Sequence, residues 1–225
     1  MKGEVRVLLV MVLFAHTAFG QIVNVQGLMN EPIRVKKYED ISGSAYLYED
    51  WQKGDVFDRS GKIYKNLLLR YDIYKDVWEL NQEGQIYLLG RDLYTQFVIR
   101  GIDTEKQKGY ERTFKAGYNQ IEGFSPKDCF EVLADGKITL LKKHVIKFIN
   151  EVTSNYGTAT EVKRFQPSVK YFLLAGERAT EVKLNQKSLR EAAAVDSDFS
   201  NFLNKENSKI KSEADLTDLI SNYNR

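Results

Sequence analysis

The sequence predicts a mainly β protein, in which antiparallel hairpins form a meander arranged as a sheet, a sandwich or a partial barrel, followed by a short C-terminal helical tail. Three observations support this fold class. Apolar runs of about four to eight residues alternate with turn-forming residues over roughly 43–184. Aromatic residues are abundant, with 13 Tyr and 12 Phe, whereas Pro is scarce, with three, a composition typical of packed strands. Beyond residue 185 helix formers dominate.

The first twenty residues have the pattern of a cleavable secretory signal. Lys2 and Arg6 precede an uncharged apolar run over 7–15, and Ala18-Phe19-Gly20 supplies the small residues of a cleavage site. This run is short of the roughly 20 apolar residues that a membrane-spanning helix needs. We therefore expect an exported protein, periplasmic, peripheral to the outer membrane or extracellular, whose mature chain has no transmembrane helix.

After a lead-in over 21–42, which contains the helix breaker Pro32, strand patterns begin. The order of the elements follows from alternating apolar residues and from the Gly, Asn and Asp residues between them. We predict strands at 45–51, 63–74, 77–80, 85–89, 114–118, 130–133, 137–141, 171–174 and 180–184.

The segment 142–150 fits either a helix or a strand, because its apolar residues suit both periods. The tail over 185–225 is predicted to be helical. There Ser212 and Asp215 resemble a capping box, and 216–223 has an apolar stripe at helical spacing. Such a stripe favours packing of the tail on its own domain over a separate interaction surface.

Few residues of the chain are suited to known catalytic or metal-binding chemistry. Cys129 is the only cysteine, so it forms no internal disulfide, and we expect it to be a buried apolar residue. His144 is the only histidine left after cleavage, and the run Lys142-Lys143-His144 is expected to be a solvated basic face. No nucleotide, zinc or calcium motif is present, so we expect neither a cofactor nor a metal.

The overall charge disfavours nucleic acid as a partner. The chain carries +2, and removal of the signal with Lys2, Glu4 and Arg6 leaves +1. Phosphate backbones are bound by clustered positive charge.

Two kinds of function fit the remaining residues. Strand-borne aromatic side chains offer flat apolar area with polar tips, which suits contact with an envelope protein or a glycan. Core packing and cross-strand pairing are the competing interpretation for most of them. The aromatic set comprises Tyr46, Tyr48, Trp51, Tyr64, Tyr71, Tyr74 and Trp78, of which all but Tyr64 are taken as candidate binding residues.

The alternative is a carboxylate-dependent glycan hydrolase, because acids lie among these aromatic residues. Alternating acids and aromatic residues are also typical of a half-exposed sheet face. The candidate acids are Glu49, Asp50, Asp72, Asp76 and Glu79.

The runs 46–51, 61–64 and 69–74, together with the tail from 185 to 224, resemble uncharacterised exported proteins of Gram-negative bacteria. The resemblance covers most of the mature chain and implies no activity. The sequence thus predicts an exported, non-enzymatic cell-envelope protein with a binding or structural role.

Overall fold

The fold is taken from a computed structural model. It describes residues 38–103, 107–155, 158–194, 196–206 and 209–225. The predicted signal over 1–20 and most of the lead-in segment lie outside the described residues.

Ten strands are followed by three helices. The strands are β1 (Gln52–Asp58), β2 (Ile63–Asp72), β3 (Val77–Gln82), β4 (Gln85–Leu89), β5 (Tyr94–Asp103), β6 (Lys108–Lys115), β7 (Phe130–Ala134), β8 (Ile138–Asn155), β9 (Thr158–Ala175) and β10 (Arg178–Val182). The helices are α1 (Gln186–Ala193), α2 (Ser197–Lys205) and α3 (Glu213–Tyr223).

All ten strands belong to one antiparallel sheet in the order β10-β9-β8-β7-β6-β5-β1-β2-β3-β4, which is not closed. Strands that are consecutive in sequence are neighbours in the sheet except β4 and β5, because β5 pairs with β1. The predicted fold class, a β-dominated antiparallel meander with a helical tail, is confirmed.

Several strand limits differ from the prediction. The segment 45–51 forms only an isolated bridge between Tyr46 and Asp72, and the first strand starts at Gln52. β5 was not predicted, and β6 ends at Lys115 although a strand was expected over 114–118. The ambiguous segment 142–150 is part of β8, whose backbone pairs with β9 along its whole length.

One end of the sheet, β1 to β6, has an aromatic core. The Trp78 ring is stacked between Tyr71 and Phe97, with centroid distances of 4.7 and 4.5 Å, and Phe114 meets it edge-on at 5.2 Å. Tyr71 and Trp78 are directly paired in the register of β2 and β3, so both point to the same face.

The helices cover the other end of the sheet. Leu189, Phe199 and Leu216 pack with Ile138 and Leu140 of β8 in one apolar cluster. The predicted capping box of α3 is confirmed, because Ser212 and Asp215 bond reciprocally side chain to backbone, at 3.2 and 2.9 Å. The tail therefore packs on its own domain. Within the described residues, no helix has the length and apolar character needed to cross a bilayer.

A long hairpin and one irregular segment complete the fold. β8 and β9 have 18 residues each, about 60 Å at 3.3 Å per residue. Residues 38–51, here called the bridging segment, hydrogen-bond to β9 through Ser42 and to the end of β2 through Ala45 and Leu47. The segment thus joins two strands that lie far apart in the sheet order.

Candidate functional site

Two of the six candidate binding residues lie in the core. Tyr71 and Trp78 are each only 2% exposed. Their rings lie in the aromatic core, where Trp78 is stacked between Tyr71 and Phe97. This corrects the prediction that they belong to a binding face. Tyr64, from the same aromatic set, is also buried.

The bridging segment brings other aromatic residues together at the surface. The guanidinium carbon of Arg70 lies 4.1 Å from the ring centroid of Tyr46 and 4.4 Å from that of Trp51. Tyr38 lies beside Tyr46, and the centroid of its ring is 6.1 Å from the ring centroids of both Tyr46 and Tyr74. The aromatic row, as we call this surface, consists of Trp51, Arg70, Tyr46, Tyr38, Tyr74 and Phe148.

Backbone hydrogen bonds hold the row in place. Ala45 O accepts from Ile73 N at 2.8 Å, and Leu47 N donates to Tyr71 O at 3.0 Å, which sets Tyr46 beside β2. At the other end Phe165 N donates to Ser42 O at 2.8 Å. The Phe165 ring is 5% exposed and packs beneath Tyr38 and Tyr74. The row is thus formed where the bridging segment, the β2–β3 turn and the β8–β9 hairpin meet.

Two buried carboxylates support the row from below. Glu79 Oε2 accepts from Arg70 Nε at 3.1 Å and from Nη2 at 2.8 Å. Asp72 Oδ2 accepts from Tyr38 Oη at 2.8 Å. Both acids are 0% exposed. Burial, followed by the negative charge of Glu79, raises the pKa of Tyr46 to about 12, so the phenol stays neutral.

The candidate acids of a hydrolase do not share an open cleft. Asp72 and Glu79 have no exposed surface, and Glu49 and Asp50 are exposed to solvent. Asp76 lies in a different cluster, where Arg91 and Lys143 each approach its Oδ2 to 3.1 Å.

The Asp76 cluster also surrounds the cysteine. Lys143 Nζ donates to Cys129 O at 3.0 Å, and Cys129 N donates to Asp76 Oδ2 at 3.3 Å. Burial raises the pKa of the Cys129 thiol to about 12. The prediction that Cys129 is buried is confirmed, and at neutral pH the thiol is protonated, so it is a weak nucleophile.

A second charged cluster was not predicted from the sequence. Arg112 donates to both oxygens of Glu131 at 2.6 Å, and its Nη1 donates to Tyr48 Oη at 2.7 Å. His144 Nε2 lies 2.7 Å from Glu131 Oε2. Lys142 bridges to α3 through Glu213, at 2.7 Å. We call Tyr48, Arg112, Glu131, Lys142, His144 and Glu213 the Glu131 cluster.

The expectation of a solvated basic face at 142–144 is therefore wrong. The side chains of Lys142, Lys143 and His144 are 14, 7 and 11% exposed. The alternation of side chains along β8 could have predicted that His144 is buried. His144 lies on the same face of the strand as Leu140 and Ile146, which are both buried.

Opposing effects set the protonation of this cluster. Burial alone would raise the pKa of Glu131, but hydrogen bonds from Arg112 and His144 outweigh burial, and the pKa falls to about 2. Burial lowers the pKa of His144 below its usual 6.5, against the favourable contact with Glu131. Glu131 is therefore ionised and His144 neutral at pH 7.

Of the six candidates, the structure places Tyr46, Trp51 and Tyr74 in the aromatic row and Tyr48 in the Glu131 cluster. The Tyr48 ring is also stacked on Tyr110, with centroids 5.6 Å apart. Among the described residues, no group of three or more His, Cys, Asp or Glu side chains is arranged to hold a metal ion.

No protein-family model, curated protein or solved structure matches the chain. The geometry of the row and of the two charged clusters is thus the basis for a functional proposal.

Proposed function

We propose that the protein is an exported, non-enzymatic component of the Gram-negative cell envelope that binds another protein or a glycan through the aromatic row. The observation that supports this proposal most directly is the position of Arg70 between the rings of Tyr46 and Trp51, with Glu79 neutralising its charge. Side chains held in this way lose little conformational freedom when a partner binds, which favours affinity.

Exposure supports the same role. Tyr74 is 41% exposed although it contacts three other rings. Large exposed aromatic side chains with a polar tip are enriched in binding surfaces. A hydrolase is not favoured, because burial keeps Asp72 and Glu79 from reaching a substrate.

A photo-crosslinking residue placed at position 74 tests the binding role. Position 93 serves as the control, because Leu93 is 43% exposed and lies outside the row. In a Gram-negative host we expect an adduct with an envelope protein or glycan from position 74, and its loss on Trp51→Ala. Equal labelling from both positions, or none from position 74, would contradict the proposal.

Export is tested separately. The proposal expects protein recovered from the periplasmic or extracellular fraction to begin at Gln21, after cleavage behind Gly20. Protein that begins at Met1 and stays in the cytoplasmic fraction would rule out the secretory signal.

A further inference from the structure

We infer that the partner of the aromatic row is a neutral oligosaccharide, an inference that rests on the binding role proposed above. The exposed area of the row is small. Tyr74, at 41%, is the most exposed ring of the row. Since an aromatic side chain has at most roughly 250 Å², the five rings together expose at most about 500 Å². A stable protein interface needs about 800 Å² from each partner, whereas a few sugar rings are covered by less.

The cation at the centre of the row is already paired. Arg70, between Tyr46 and Trp51, lies 2.8 Å from Glu79. A second cation, Lys75, lies over the Tyr38 ring, with its Nζ 5.7 Å from the ring centroid. The carboxylate of Asp72 is buried beneath Tyr38. Neither charge of the Arg70–Glu79 pair is left over for an ionic group of a ligand, so the part of the row around Trp51 and Tyr46 suits an uncharged ligand.

Most rings of the row carry polar atoms at their tips. Trp51 Nε1, Tyr46 Oη and Tyr74 Oη make no hydrogen bond within the part of the chain that the structure describes. On Trp51, Arg70 covers one face, and no second ring or cation packs on the indole among the described residues. Flat apolar faces beside free donors and acceptors match the C–H faces and hydroxyl groups of a pyranose.

Tryptophan fluorescence is a direct reporter of such binding. The chain has two tryptophans, and Trp78 is 2% exposed in the core, so Trp51 is the one that a ligand can reach. The full chain is titrated with short oligosaccharides of glucose, galactose, mannose and N-acetylglucosamine, and with oligogalacturonate as the acidic comparison. We expect a saturable change in emission with at least one neutral oligosaccharide and none with the acidic one.

Variants locate the site, with calorimetry as the second measurement because Trp51→Ala removes the reporter. We expect Trp51→Ala and Tyr74→Ala each to weaken binding at least tenfold, and Leu93→Ala to leave it unchanged. Tyr74 is largely at the surface, so its replacement keeps the test valid even where Trp51→Ala disturbs folding.

Four outcomes would overturn the inference. Binding of oligogalacturonate alone excludes a neutral ligand, and sugar binding unaffected by both variants excludes the row. If no oligosaccharide binds at millimolar concentration while position 74 crosslinks to a protein, the glycan is excluded and the binding role stands. If neither ligand nor crosslink is found, both proposals fail.

Discussion

Glu131 Oε2 lies 2.7 Å from His144 Nε2 and also accepts from Arg112 Nη2 at 2.6 Å, so the imidazole shares one carboxylate oxygen with a guanidinium. Lys142, which lies on β8 as His144 does, adds a second positive charge 4.0 Å from that oxygen. Protonation of His144 therefore brings a third positive charge into a partly buried space that contains Glu131 and Glu213 as its acids.

Acidification should destabilise the fold through His144. Burial holds the folded-state pKa of His144 below 6.5, so the unfolded chain takes up the proton first and stability falls as the pH drops below about 6.5. The loss is at most about 1.4 kcal/mol per pH unit for one proton. Urea unfolding at pH 7.5 and 5.5 should show a smaller loss for His144→Gln than for the original chain. An equal loss in both would contradict this role of His144.

Removal of Glu131 should be costly. Its side chain is 6% exposed, and Glu131→Ala leaves Arg112 buried without its carboxylate, which we expect to cost about 3–5 kcal/mol of unfolding free energy. The matched control is Glu181→Ala, which breaks the exposed cross-strand pair with Lys170 at 2.9 Å. That pair should contribute less than about 1 kcal/mol. Urea denaturation measures the loss of unfolding free energy in both variants. Similar losses for Glu131→Ala and Glu181→Ala would contradict the prediction.

Asn224 should stabilise the contact between α3 and the sheet. Asn224 Oδ1 accepts from Ile138 N at 3.0 Å, and Nδ2 donates to Ile138 O at 2.8 Å. Asn224→Ala should cost about 1–2 kcal/mol, because two hydrogen bonds are lost, and should speed amide exchange at Ile138. Asn201→Ala, at an exposed position of α2, is the control. Unchanged exchange at Ile138 would contradict the prediction.

The two tryptophans should differ in their effect on stability. Trp78→Ala opens a cavity between Tyr71 and Phe97 and should cost about 3–5 kcal/mol. Trp51→Ala removes only a half-buried ring and its contact with Arg70, at a cost of about 1 kcal/mol. Thermal or urea unfolding of both variants measures the difference. A larger loss for Trp51→Ala would show that the aromatic row belongs to the core.

Local sequence patterns predicted the structure correctly where a residue's neighbours in the chain determine its conformation. The Asp135-Gly136 turn between β7 and β8 and the cap at Ser212 are of this kind, since turn and cap chemistry involves residues only a few positions apart. β5 was missed because its tip carries Arg100 and Asp103, which interrupt the apolar pattern.

The sites depend on contacts that no local pattern contains. Tyr71 and Tyr74 look alike in the sequence, yet one is 2% and the other 41% exposed, because strand β2 ends between them. Arg112, Glu131 and His144 come from three strands that only the sheet brings together. Sequence alone thus identified Tyr46, Trp51 and Tyr74 as candidates without separating them from the core pair.

The bridging segment has a consequence for the order of folding. Ser42 and its partner Lys163 are 121 positions apart, and the segment also needs the end of β2 as a partner. Because these contacts join parts of the chain that are far apart in the sequence, we expect them to form late, on the native side of the folding barrier. Weakening them should accelerate unfolding and leave the folding rate nearly unchanged, which makes the bridging segment a determinant of how long the native state persists.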